Sequence, residues 1–171
     1  MQVVCNTNEL TVVKACELAN SLLRRPDFYV GIAAHPNFDI DRGGKRALVT
    51  PTQVADILRT TTLAFSVKLF TPPWYLRWTK YLRTQAYTDP GIPDTLFLKS
   101  YWIRNEAPTA GYVAATILHE CVHAADTAGE FGHGDNSPAG KENTAPYWIG
   151  SYANSLLTGQ PMATLAFGEE A

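Results

Sequence analysis

The sequence predicts an α+β fold, on three observations. Five runs suit helices, three others are short and rich in β-branched and aromatic residues, and proline or glycine marks most of the junctions between them. The 171 residues suit one domain spanning 1–171, since a single core commonly serves about 100–200 residues. Hydrophobic residues make up 46% and charged residues 18%, a balance that supports a packed interior and argues against long disordered stretches.

In residues 9–24, Leu10, Val13, Cys16 or Glu17, Ala19 or Asn20 and Leu23 fall at helical spacing, and Pro26 stops the run. Phe28 to Ala34 is short, apolar and partly β-branched; it reads as a strand entering a loop at His35-Pro36-Asn37. Asp39 to Arg46 is a turn or hairpin tip. Thr50-Pro51-Thr52-Gln53 opens a helix that runs to about Thr60, with proline near its first position. Leu63 to Phe70 suits a strand, which Pro72-Pro73 ends.

Aromatics in Trp74 to Leu82 interleave with Arg77 and Lys80, as in a platform that stacks nucleic-acid bases. The spacing of Trp74, Trp78, Tyr81 and Leu82 is more simply one packed face of a helix. Thr95 to Arg104 is the best strand candidate, bounded by Gly91-Ile92-Pro93-Asp94 and Asn105-Glu106-Ala107-Pro108. Tyr112 to Ala128 then reads as a buried, alanine-rich helix ending near Gly129, and Thr144 to Leu157 as a last helix with Pro146 in its first turn.

Bulk properties narrow the function classes. A net charge of −2 and a pI near 6.1 provide no electrostatic footprint for nucleic acid or an anionic membrane surface. No stretch approaches the ~20 apolar residues of a membrane helix. Cys5, Cys16 and Cys121 are odd in number and widely spaced, which suits reduced thiols in a cytoplasmic fold; in an oxidising compartment Cys5 and Cys16 are the alternative pair. The first residues have no basic segment followed by an apolar one, so the expected location is the cytoplasm, or export by a route without a cleavable signal peptide.

Chemistry concentrates on His119-Glu120-Cys121-Val122-His123. Histidines four apart on a helix project about 40° from each other, so two imidazoles can share one cation, while Glu120 lies about 100° round from His119 and can reach a metal-bound water without ligating. Neutral imidazoles bind zinc and leave a position open for water, whose pKa the metal lowers to about 7. A neighbouring glutamate then serves as general base and acid. The expected cofactor is therefore one Zn2+, and the expected reaction hydrolysis.

A catalytic zinc usually takes three protein ligands plus water, so one more is required. Gly129, Gly132 and Gly134 form a loop able to fold back under the helix, with His133 between two of them. His133 is the first choice, followed by Asp135, Glu142 and Asp126. Asp126 sits three residues beyond His123 on the same face and is alternatively an acceptor that orients a ligand imidazole without ligating. In the last helix, Tyr147 or Tyr152 is a candidate hydrogen-bond donor to an oxyanion, although either would also serve as ordinary aromatic packing.

With these residues in place, the chain resembles the zincin metallopeptidases, and deuterolysin-like members in layout. The resemblance covers about residues 95–155: the apolar segment Leu96 to Trp102, a connector, Ala115-Thr116-Ile117-Leu118 leading into the HExxH motif, a glycine-rich loop and a later tyrosine-containing helix. It implies a zincin-like fold, a small twisted mixed sheet packed on helices that include the active-site helix. It also implies zinc held by both motif histidines and an edge strand that pairs with a peptide substrate. Deuterolysin-like enzymes carry Gly-Thr-x-Asp with an aspartate ligand, where this chain has Phe131-Gly132-His133-Gly134-Asp135; a metzincin would have histidine at 129, which is glycine. The expected function is peptide-bond hydrolysis by a zinc-activated water, with peptide or protein as substrate and neither nucleic acid nor membrane as partner. The alternatives are a zinc-stabilised, non-catalytic binding module and a zinc hydrolase acting on peptidoglycan peptides. Glu120 separates them, since a structural zinc site does not require it.

Overall fold

A computed structural model describes residues 1–40, 45–75, 85–89, 91–133, 142–163 and 165. Among these residues, four strands and five α-helices follow in the order β1 (Gln2–Cys5), α1 (Leu10–Leu23), α2 (Pro26–Ala33), α3 (Pro51–Thr60), β2 (Ala64–Phe70), β3 (Ala86–Asp89), β4 (Ile92–Lys99), α4 (Ala110–Ala125) and α5 (Ala145–Thr158). The architecture is α+β, a small mixed sheet packed against helices. Spatial order in the sheet is β1-β2-β4-β3; β1, β2 and β4 run parallel, and β3 closes antiparallel onto β4.

Alternation selects one covered face. Val3, Phe65, Val67, Leu96 and Leu98 are buried and share a core with Val12, Cys16 and Ala19 of α1 and Val113, Ile117 and Cys121 of α4. α4 carries no exposed face through its middle: residues 113–122 are all buried, because α1 packs against it on one side and α5 on another. That is why an alanine-rich sequence, short of a polar stripe, forms this helix. The Thr109 side chain caps its N-terminus by accepting from the Tyr112 amide.

Several expectations require correction. Phe28 to Ala34 is helical in α2. Phe28 and Ile32 are buried whereas Val30 is 67% exposed, so the burial period is four rather than two. Pro26, read as the end of the first helix, also opens the next at its first position. The strand expected over Thr95 to Arg104 begins at Ile92 and stops at Lys99. Beyond it, Trp102–Glu106 form one π-helical turn in which Trp102 and Ile103 are buried in succession, a pattern that a half-covered strand cannot produce. Pro93 is tolerated because pairing with β2 begins only at Thr95. Trp74, expected on a packed helical face, stands in a turn at 78% exposure; the remainder of that helix, 76–82, lies outside the described residues. Two short strands, β1 and β3, were not expected.

Asp39 to Arg46 closes as expected, with Asp39 and Arg46 bridged antiparallel. Asp39 also bridges to Thr144, and Asn143 donates to both the Asn37 carbonyl and the Asp39 carboxylate while His35 Nε2 meets Asn143 Oδ1 at 2.8 Å. These bonds fasten the start of α5 to a loop more than 100 residues earlier. All three cysteines are thiols. No helix among the described residues is long and apolar enough to cross a membrane.

Candidate metal centre

His119 and His123 lie on consecutive turns of α4, with ring centroids 5.0 Å apart. His119 and Glu120 are each 2% exposed, so both sit in the helix's buried middle, whereas His123 is half-buried near its end. Cys121 and Val122, two of the three intervening residues, lie in the core. Burial pushes the Cys121 thiol well above its ordinary value, with the Glu120 charge adding in the same direction. A raised pKa keeps Cys121 protonated and apolar in behaviour, and hence a packing residue.

α4 ends at Ala125, and Asp126 turns the chain. Gly129 adopts φ +68, a left-handed conformation that L side chains disfavour, and its amide bonds to the Asp126 carbonyl. The loop then returns toward the helix. Phe131, its one large apolar residue, is 1% exposed and anchors it in the core, and Glu130 O accepts from the Leu48 amide. This brings His133 Nε2 to 2.9 Å from His123 Nε2.

The ligand atoms of His119, His123 and His133 all lie within 4.8 Å of one another, close enough for one metal ion. Among the described residues this is the one group of three or more histidine, cysteine or acidic side chains so arranged. Donor chemistry fits a borderline divalent cation: three imidazoles with two Nε2 atoms facing each other. Two nitrogens each about 2.05 Å from a tetrahedral ion stand roughly 3.3 Å apart, so the 2.9 Å pair has to open by only a few tenths of an ångström.

The remaining candidates separate by position. Asp126 does not join the cluster. Its Oδ1 accepts from the Glu130 amide and its Oδ2 from the Phe131 and Gly132 amides, so it orients the loop rather than an imidazole directly. Glu142 is outside the histidine group as well. Asp135 lies outside the described residues. Tyr147, in the first turn of α5 and 4% exposed, packs its ring edge-on to His119 at 4.8 Å and against His133 at 5.1 Å. Tyr152 is elsewhere: it stacks on Trp148 and Phe28 and abuts Gly31, which removes it as an alternative donor at this site.

Sequence reasoning missed the loop's internal construction. The signal was an aspartate at the helix end followed by a glycine-punctuated run with a single phenylalanine, in Asp126-Thr127-Ala128-Gly129-Glu130-Phe131-Gly132. The ties among His35, Asp39 and Asn143 that seat α5, and with it Tyr147, left no local signal.

No family model, curated protein or solved structure matches the chain.

Proposed function

We propose that the protein is a zinc-dependent metallopeptidase of zincin-like organisation, with His119, His123 and His133 as ligands to one Zn2+ and Glu120 as general base. The convergence of the three imidazoles with a glutamate adjacent to the first of them carries this reading. Bound zinc would supply Lewis acidity and lower the pKa of a coordinated water.

Each protein group has a separate task. Glu120, one residue past His119 and buried, accepts a proton from the attacking water and returns it to the leaving amine. Its burial strengthens every charge interaction at the site, because the effective dielectric is lower than in water. Tyr147, against His119 and His133, is the candidate donor to the developing oxyanion. Among the described residues β3 is one of the two terminal strands of the sheet and the one that borders α4, so an extended peptide added beside it would lie along the histidine helix. That disposition favours a peptide over a compact small-molecule substrate.

The experiment is zinc analysis and cleavage of a mixed peptide pool by wild type and Glu120→Gln. The wild type is expected to cleave, and the variant to keep its zinc while losing at least about 100-fold in rate, the lower range for removing a general base. Cleavage unaffected by the substitution would overturn the mechanism. A zinc-bound wild type that cleaves nothing would leave a zinc-stabilised binding module.

A further inference from the structure

We infer that Asp126 is a positioning residue for the metal centre: its carboxylate pre-folds the 126–133 segment so that His133 is presented as the third ligand before any cation arrives. The inference rests on the three-histidine reading of the site and adds what makes the third histidine available.

The argument begins with the helix end. After Ala125 the backbone leaves α4, and the amides of Glu130, Phe131 and Gly132 are outside any helix or strand. Asp126 collects all three, Oδ1 from Glu130 at 2.7 Å and Oδ2 from Phe131 at 3.1 Å and from Gly132 at 2.5 Å. Charge-assisted bonds to an ionised carboxylate are stronger than neutral ones. Three on one side chain define the direction of the backbone immediately before His133.

Close approach is part of the device. A Cβ built on Gly132 would stand 2.9 Å from Asp126 Oδ2 and force a shift there, while His123 Nδ1 at 3.5 Å would be in ordinary contact, so glycine lets the loop lie this close to the carboxylate. Phe131 in the core supplies the second anchor. His133, the next residue after this caged segment, is thus delivered to His123 at 2.9 Å. Asp126 itself is not one of the converging ligand groups; it acts through His133.

Zn2+ titration of the full chain tests this, in wild type, Asp126→Ala, Asp126→Asn, His133→Ala and the Asp126→Ala/His133→Ala double variant, with urea midpoints of the metal-free proteins alongside. Asp126→Ala is expected to weaken Zn2+ binding about 10- to 100-fold, the usual effect of removing a group that orients a ligand. Asp126→Asn, which retains one oxygen, should fall between it and wild type. In the His133→Ala background the same alanine substitution should change affinity less than about threefold, because the residue it positions is gone. The Co2+ spectra of Asp126→Ala and His133→Ala should resemble each other. An equal loss in both backgrounds, or wild-type zinc affinity in Asp126→Ala, would overturn the proposal, and lowered urea midpoints with unchanged affinity would do the same. A wild type that binds no Zn2+ overturns both this inference and the metal centre; a zinc-binding wild type with no peptidase activity overturns only the proposed function.

Discussion

Within five residues α4 does two jobs. His119 and His123 face His133 in the imidazole cluster while Cys121 and Val122 fill the core, and the helical period alone separates the two sets. A comparable division governs Gly31 in α2. A Cβ there would lie 1.9 Å from the Tyr152 hydroxyl and 2.4 Å from its Cζ, so the ring that stacks on Phe28 and Trp148 would have to swing away. Overpacking of this kind costs about 1–3 kcal/mol, whereas replacing glycine in a helix gains roughly 1 kcal/mol. Gly31→Ala is therefore expected to lower the urea midpoint. In a Tyr152→Ala background only the propensity gain remains, and the same substitution should raise it; a drop in both backgrounds would show that the clash is not the cause.

Among the elements, short helices were the least legible and capped ones the most. α3 was evident from Thr50-Pro51-Thr52-Gln53, and its start is a reciprocal cap: Thr50 Oγ1 accepts from the Gln53 amide, and Gln53 Oε1 accepts from the Thr50 amide. Thr50→Ala should cost about 1 kcal/mol by denaturant unfolding, with zinc affinity unchanged because α3 contributes nothing to the histidine cluster. α2 was misread for a physical reason. Eight residues offer barely two helical turns of periodicity, and Phe28, Val30 and Ile32 are β-branched or aromatic at every second position. The burial of Phe28 and Ile32 decides for the helix, and that burial depends on α5 residues such as Tyr152 more than 100 positions away. β3 was invisible for a related reason: four residues become a strand only because β4 is there to pair with them.

At the scale of the whole molecule, the buried thiols couple stability to pH. Burial raises Cys16, with the neighbouring Cys5 thiol acting in the same sense, and burial likewise raises Cys121. Groups whose folded pKa lies above the unfolded value bind more protons in the folded state, so their stabilisation is intact below the ordinary cysteine pKa of about 8.5 and is lost as pH climbs past it. Tyr29, Tyr112 and Tyr152, raised chiefly by burial, extend the same trend above pH ~10. Urea midpoints should thus fall between pH 8 and 10, and fall less steeply in Cys16→Ala. A midpoint flat across that range would contradict the burial argument.

What the chain alone determined is whatever depends on short separations. The His119 and His123 pair, Glu120 beside it, the capped helix at Thr50 and the α+β mixture are all written in spacings of a few residues, because a helix or strand repeats within that distance. The tertiary structure decided everything that joins distant segments: the approach of His133, rather than Glu142 or Asp126, to the histidine pair, the position of Tyr147 rather than Tyr152 beside the imidazoles, and the helical state of α2. Those outcomes turn on which side chains meet across a loop or a core, and loop closure such as that organised by Asp126 has no periodicity from which to read it.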